Sequence, residues 1–440
     1  MKTGISIKIT DGLAVILCSY GIYLIFQGKT YACLGALTAG AYTWFLPRRA
    51  RGGPNASSLA RWIDRYALNL LVLLLIVSAL SDFSRHFSRV DFGTFYGNAL
   101  LLRKEPARLY DLNRQGEVLH DVSGIKQHYL TFVYPPFVAL LFVPFTFVSF
   151  RTAYYLMLLC NIALLGLSVV CFKDGLRLRY DQFRGMLLCT AAAIPVYVTL
   201  VLGHIAFWGL LLLCMFSSDL LTGRTSRAGF WCGLLSYKVI LFPIPFLVLV
   251  WLRCWKGLAI ACGVIGTLGA ISVALVGFDG ISANYHALRS PSDVSLLPRM
   301  HSLRSLTYFL GMGEWAWIVC SVALVGVLWV GFLRGTNKRF AVAGMILCIM
   351  LVAPYLQTYD LTLGLISIAL IVSECREMTS SKEKTYVIIS FVPVAVTLWA
   401  QTVGLSWPIM PVVLLGGYIY CIYRAFSARG RGSEAGVYAA

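Results

Sequence analysis

Apolar runs of the length needed to cross a lipid bilayer recur along the whole chain and restrict it to a membrane fold. A crossing helix needs about 17–25 mostly apolar residues, and runs of this kind recur around residues 66–80, 257–276 and 385–400. Of the 440 residues, 59% are hydrophobic and 13% are charged. In a soluble domain, roughly a quarter of the residues are charged. The sequence predicts an all-α polytopic membrane protein with no separate soluble domain.

The first two apolar runs, residues 13–26 and 31–45, are predicted to be retained helices. The first run resembles the core of a signal peptide, but no small-residue cleavage site follows it and the second run begins almost at once. We assign residues 1–63 to two extra N-terminal transmembrane helices and a basic cytoplasmic loop. The main membrane domain is expected over residues 64–425.

Positive charge is concentrated in short loops between the apolar runs. The formal net charge is +18, and Lys and Arg cluster at residues 48–53, 334–339 and 424–432. Loops of this kind lie on the cytoplasmic side of membrane proteins. The charge is therefore a topology signal, and we expect membrane lipids as partners and no nucleic acid.

These loops predict about 12–14 crossings with both termini in the cytoplasm. The first outer loop is then residues 82–131, and residues 426–440 form a cytoplasmic tail. Two segments must depart from a simple crossing. Residues 134–148, with three prolines, are expected to be broken or re-entrant, and residues 228–252 are expected to form two half-helices with Lys238 near their tip.

In this topology, the unusual polar residues of the chain all lie on the outer side: Asp91, His204, Lys238, His301 and Asp360. The two acids have a structural interpretation. Asp91 precedes an amphipathic stretch, residues 93–103, that is expected to lie as a helix on the membrane surface, and Asp360 opens a later helix. Because Asp is a favoured N-cap residue, capping accounts for either acid taken alone.

The basic residues differ in how easily they are explained. His204 fits a buried histidine between two helices, and His301, Arg299 and Arg304 fit ordinary loop chemistry. Lys238 does not, because an ammonium in an apolar segment is costly unless it faces a cavity, a partner charge or a phosphate. Together, one acid facing several cations suits a reaction in which a hydroxyl group loses a proton and an anionic phosphate leaves.

Nothing in the sequence points to a metal or another cofactor. The 13 Cys residues are scattered singly, with no Cys-x-x-Cys pair and no His at ligand spacing. Within the first outer loop, Asp82 and Asp111 are the nearest candidates for a second metal-binding acid beside Asp91. We expect no metal and no cofactor.

The order and spacing of several short segments resemble the polyprenol-phosphate-mannose-dependent mannosyltransferases of glycosyltransferase family 87. The segments are 90-VDFGTFYGNALLLRKEPARLYD-111, 134-YPPFVALLFVPF-145 with Asn161, 203-GHIAFWGLLLL-213, 238-KVILFPIPFLVL-249 and 353-APYLQTYDLTL-363. The resemblance covers about residues 64–425. Two positions depart from the family pattern: His204 replaces a Gln, and Val239 follows Lys238 where the family often has Pro.

The resemblance implies the GT-C fold, a bundle of membrane helices with extracytoplasmic surface helices over an outward-facing cavity. It also implies transfer of a sugar, most often mannose, from a polyprenyl-phosphate donor to a lipid- or glycan-linked hydroxyl acceptor, with inversion, on the outer side of the cytoplasmic (inner) membrane. In this family the first outer loop carries the catalytic acid, which here is Asp91.

Further roles follow from the same resemblance and from the polar residues. The donor phosphate is expected to bind Lys238, His301 and Arg304. The residues expected to line the substrate cavity are Tyr96, Tyr134, His204, Tyr355, Tyr359 and Asp360. A transporter or flippase of a lipid-linked sugar is the alternative, although the inverted repeats that it predicts are not seen. A non-catalytic scaffold gives no reason to bury Lys238.

Overall fold

A computed structural model of the chain describes residues 91–124, 132–289, 297, 299–374 and 408–427, together with residues 386, 393 and 397. The described residues form helices and no strand. The α-helices are α1 Phe92–Lys104, α2 Leu112–Ser123, α3 Pro136–Phe142, α4 Phe150–Asp174, α5 Tyr180–Ala192, α6 Ile194–Leu202, α7 Ala206–Leu221, α8 Thr225–Leu234, α9 Pro243–Trp251, α10 Trp255–Arg289, α11 Leu303–Phe309, α12 Gly313–Arg334, α13 Lys338–Val352, α14 Gly364–Ser373 and α15 Ile409–Ser427. Short 3-10 helices cover Pro106–Arg108, Val143–Phe147, Leu235–Tyr237 and Thr358–Leu363.

Four of the described helices are long and apolar enough to cross a membrane: α4, α10, α12 and α15. A fifth crossing results if α5 and α6, which meet at a bend of 53°, are counted as one span. The prediction of an all-α polytopic membrane protein is confirmed. The predicted N-terminal helices of residues 1–63 and the tail beyond Ser427 lie outside the described residues.

The described part of the predicted first outer loop, residues 91–124, contains the two α-helices α1 and α2. In α2, the carboxylate of Asp111 accepts hydrogen bonds from the backbone N–H groups of Asn113 (3.1 Å) and Arg114 (3.2 Å). The helix ends at Gly124, whose φ of 73° lies in the left-handed region. Because its carboxylate satisfies otherwise unpaired N–H groups, Asp111 has a structural role in this loop.

The proline-rich segment after this loop is short. Helix α3 and the 3-10 helix Val143–Phe147 together span about 20 Å at the standard rises of these helices, whereas the hydrocarbon core of a bilayer is about 30 Å thick. Pro136 is in the first turn of α3, and Pro144 is in the first turn of the 3-10 helix. The segment is therefore too short for a full crossing, as predicted for residues 134–148.

Lys238 lies at a break between two short helices, as predicted from the charge of the flanking loops. Helix α8 has 10 residues and α9 has 9 residues, and the backbone of Lys238 between them is extended (φ −130°, ψ 104°). Helix α8 packs directly on the first turn of α10. A Cβ atom added at Gly229 would lie 2.0 Å from the carbonyl oxygen of Gly257, so only glycine permits this approach of the two backbones.

Two of the basic loops meet at one end of the bundle. The Arg339 guanidinium, at the start of α13, donates hydrogen bonds to the carbonyl oxygen of Leu176 after α4 (2.8 Å) and to the Ser373 hydroxyl at the end of α14 (3.0 Å). Residues 173–184 and 334–339 therefore share one end. Helix α13 begins at this end and finishes at the segment of residues 353–360, at the opposite end.

Candidate active site

Asp91 stands at the start of α1, but its side chain does not cap the helix. Its backbone is helical (φ −60°, ψ −24°) and its carboxylate accepts no hydrogen bond from the first turn. The side chain is half-buried. The sequence allowed an N-cap role for this carboxylate, but the carboxylate does not cap α1. Its oxygens remain available to a ligand.

The surroundings of Asp91 favour its protonated form. Loss of hydration raises the pKa of this carboxyl to about 7, the Asp360 carboxylate adds to the rise, and the Lys238 ammonium opposes it. These interactions bring three charged groups into one site, although Asp91 begins α1, Lys238 follows α8 and Asp360 precedes α14. A carboxylate with a pKa near 7 is suited to accept a proton at neutral pH.

Lys238 is paired with Asp360. Its ammonium donates a hydrogen bond to Oδ1 of Asp360, and Oδ2 of the same carboxylate accepts a hydrogen bond from the Gln357 backbone N–H (3.3 Å). Asp360 is 4% exposed. Gln357 is the N-cap of the 3-10 helix Thr358–Leu363, and Asp360, the third residue of that helix, accepts the backbone hydrogen bond of Gln357. The same carboxylate balances the ammonium.

His204 is held against Tyr359. Their rings stack with centroids 3.6 Å apart and an interplanar angle of 22°, and the Lys238 ammonium lies 5.4 Å from the centroid of the Tyr359 ring. The preceding Gly203 has a φ of 62°, and a Cβ atom there would lie 2.9 Å from Cβ of Phe92. The Gly-His pair thus lets the chain turn between α6 and α7 directly beside the start of α1.

Tyr134 links this stack to the first outer loop. Its hydroxyl is 3.2 Å from Nε2 of His204, and its carbonyl oxygen accepts hydrogen bonds from the Tyr110 hydroxyl (2.6 Å) and the Asn284 amide (3.3 Å). Burial, with a smaller contribution from Lys238, holds the pKa of His204 well below its usual range. The imidazole is therefore neutral at physiological pH. Its Nδ1 atom is buried and has no hydrogen-bond partner among the described residues.

A second polar cluster adjoins the first through residues 355–360. Nε2 of His301 is 2.9 Å from the Thr358 hydroxyl, two residues from Asp360. Burial lowers the pKa of His301 to about 4, so this imidazole is neutral as well. The Arg304 guanidinium lies 5.4 Å from the centroid of the Tyr355 ring. It makes a bidentate ion pair with Glu314, in which Nε donates to Oε2 (2.9 Å) and a terminal nitrogen donates to Oε1 (2.6 Å).

The predicted site residues thus fall into three groups. Asp91, Tyr134, His204, Lys238, Tyr359 and Asp360 form one cluster, and His301, Arg304 and Tyr355 form the adjoining one. Tyr96 belongs to neither, because its hydroxyl donates to the Val148 carbonyl oxygen (2.8 Å) and its ring packs on Phe92 and Phe150. It holds α1 against the segment before α4.

Three residues of the site were not predicted to have a role there: Tyr110, Asn284 and Tyr237. Tyr237 directly precedes Lys238, and its hydroxyl donates to the Ile205 carbonyl oxygen (3.5 Å) beside His204. Tyr110 and Asn284 act on the backbone of Tyr134, and such contacts leave no signature in a sequence. Asn284 could have been noticed as a polar residue near the end of a long apolar helix. Of the two acids considered as further metal ligands, Asp111 caps α2 and Asp82 lies outside the described residues.

Comparison with known proteins adds one match. The sequence model of glycosyltransferase family 87 matches residues 132–358, just over half of the chain. Tyr134, His204, Lys238, His301 and Arg304 lie within the matched residues. Asp360 lies two residues beyond them, and Asp91 lies 41 residues before them. No curated protein and no solved structure matches the chain.

Proposed function

The chain belongs to glycosyltransferase family 87 and is thus a membrane glycosyltransferase, and we propose that it transfers mannose from a polyprenyl-phosphate donor. The acceptor is a hydroxyl group of a lipid- or glycan-linked molecule. Family membership favours glycosyl transfer over transport of a lipid-linked sugar. The observation that carries the proposal is the presence of Asp91 and Lys238 in one site, because a proton acceptor and a cation are what this reaction requires.

Asp91 acts as the general base. The oxygen of the acceptor hydroxyl attacks the anomeric carbon of the donor sugar while its proton passes to the Asp91 carboxylate. The bond between the anomeric carbon and the phosphate oxygen breaks, and the phosphate leaves with the electron pair. Attack opposite the leaving group inverts the anomeric centre, and no covalent intermediate with the protein forms.

The phosphate is held by the cationic and neutral donors around residues 355–360. Lys238 supplies a charge-assisted hydrogen bond, and His301 supplies a neutral imidazole with its Nδ1 atom unpaired among the described residues. Arg304 is paired with Glu314, whose side chain is 53% exposed. The guanidinium therefore reaches a phosphate only by exchanging this carboxylate for it.

The site faces the extracytoplasmic side of the cytoplasmic membrane. Support comes from the two basic loops that meet through Arg339 and Leu176 at the other end of the bundle, because basic loops mark the cytoplasmic side. Helices α4 and α13 both run between that end and the site.

The test is turnover of the purified protein with a set of synthetic polyprenyl-phosphate sugars and lipid-linked acceptors. We expect transfer from the mannose donor and none, or much less, from the arabinose donor. Asp91→Asn should lower the rate by about 10²–10⁴-fold, with donor binding retained, because the amide keeps the shape of the carboxylate but accepts no proton. Asp121→Asn, an exposed substitution in the same loop, is the matched control. Wild-type turnover by Asp91→Asn would exclude the mechanism.

A further inference from the structure

The active site holds two carboxylates but only one ammonium among its described residues. Asp91 begins α1, whose Phe95 ring lies 5.7 Å from the His204 ring. His204 stacks on Tyr359, which lies beside the ammonium of Lys238, and Asp91 interacts electrostatically with both Asp360 and Lys238. A single cation cannot pair closely with both acids, so its choice of partner determines which carboxylate keeps a high affinity for protons.

The geometry fixes that choice. The Asp360 carboxylate is oriented by the Gln357 N–H and receives the Lys238 ammonium, while the Tyr359 ring lies beside the same ammonium. Asp91 has no comparable anchor, since its carboxylate accepts no hydrogen bond from the helix that it begins. The ammonium is thus committed to the more buried and better-held acid.

We propose that Asp360 is a positioning residue that keeps Lys238 from pairing with Asp91, so that Asp91 remains a proton acceptor at neutral pH. A carboxylate beside an unshared cation has a pKa lowered by about 1–3 units. If Lys238 turned to Asp91, the base would become weaker and its oxygens would be occupied. This inference rests on the proposed function only in giving Asp91 the role of general base.

The other titratable groups around the site leave this balance unchanged. Burial keeps Tyr134, Tyr237 and Tyr359 protonated, with pKa values raised above that of free tyrosine, and His204 is neutral because burial lowers its pKa. None of these four side chains carries a charge at neutral pH. Arg304, the other cation near residues 355–360, is paired with Glu314. The protonation of Asp91 therefore depends on its own burial and on the charges of Asp360 and Lys238.

The test measures the protonation of Asp91 without requiring turnover. The purified protein is treated at a series of pH values with dicyclohexylcarbodiimide, which modifies protonated carboxyl groups in apolar sites, and the extent of modification at Asp91 is measured by mass spectrometry. In Asp360→Asn, Lys238 is free to pair with Asp91. The pH at which Asp91 is half modified should therefore fall by about one pH unit or more. The pH below which the transfer rate declines should decrease by the same amount. Asp360→Glu, which keeps the carboxylate, should restore the wild-type midpoint.

A double variant separates this role from a merely structural one. Adding Lys238→Met to Asp360→Asn removes the cation that would pair with Asp91, so the midpoint should return to within about half a unit of the wild type. If the unpaired Lys238 ammonium prevents Asp360→Asn from folding, the double variant is measured in its place. Removing both members of a buried pair is better tolerated than removing one. Asp121→Asn is the control for folding and for modification of Asp91.

Two results would overturn the proposal: an unchanged midpoint in folded Asp360→Asn, or a midpoint in the double variant that is lower by a unit or more. If the midpoints shift as expected but no donor sugar is transferred, the positioning role stands and the proposed function fails.

Discussion

At the scale of single residues, Asp91 makes activity depend on pH in a defined direction. In the proposed mechanism the carboxylate is the catalytic form, and burial raises the pKa of Asp91 to about 7. Transfer should therefore be maximal above this pH and should fall about tenfold for each pH unit below it. The measurement is kcat for transfer from pH 5 to pH 9. The residual rate of Asp91→Asn should lack this limb, and a limb of the same position in that variant would assign the titration to another group.

Lys238 gives a second prediction at this scale. Lys238→Met keeps the apolar stem but removes the proposed contact with the donor phosphate, and it should weaken donor binding by about 1.5–3 kcal/mol. The change should be seen in KM for the donor, and Lys238→Arg should restore part of it. An unchanged donor KM would leave Lys238 without a role at the phosphate.

The residues of the site are only partly predictable from the sequence. Asp91, His204, Lys238 and Asp360 stand out because polar groups are rare in such a chain. Their partners depend on contacts between distant segments, so the pairing of Lys238 with Asp360 and of Arg304 with Glu314 had no local signal. The same holds for Tyr110 and Asn284, which bind a backbone carbonyl.

At the scale of helices, the close contact between α8 and α10 positions α8, the helix that leads to Lys238. Gly229→Ala should lower the free energy of unfolding by about 1–3 kcal/mol, because its Cβ would lie 2.0 Å from the Gly257 carbonyl oxygen. The measurement is thermal unfolding in detergent. Gly263→Ala on α10 is the matched control, since no atom lies within 4 Å of its added Cβ. Equal melting temperatures for the two variants would contradict the packing.

Breaks in helices followed from residue chemistry where the sequence contained a strong signal. Three prolines predicted the short segment of residues 134–148, and a lysine between basic flanks predicted the break at Lys238. Weaker signals did not suffice. The bend between α5 and α6 precedes Pro195 by two residues. The break within α10 is at Gly277 (φ 71°), directly after the apolar run of residues 257–276.

At the scale of the whole molecule, the arrangement predicts which end of the bundle faces outward. Leu310, at the end of α11, lies near the active site and is exposed, whereas Arg177 lies in the basic loop at the opposite end. In intact cells, a membrane-impermeant maleimide should modify Leu310→Cys and should modify Arg177→Cys only after permeabilisation. Mass spectrometry of the two peptides distinguishes these sites from the native cysteines. The reverse pattern would place the active site in the cytoplasm.

The glycine contact between α8 and α10 also restricts the movement of the backbone that precedes Lys238. Because the backbones of α8 and α10 are in contact at Gly229 and Gly257, α8 has no room to tilt towards α10. Movement of the Lys238 ammonium then comes from its own flexible side chain, which has four methylene groups. In the proposed reaction, the Lys238 ammonium would reach the donor phosphate by rotation of its own side chain.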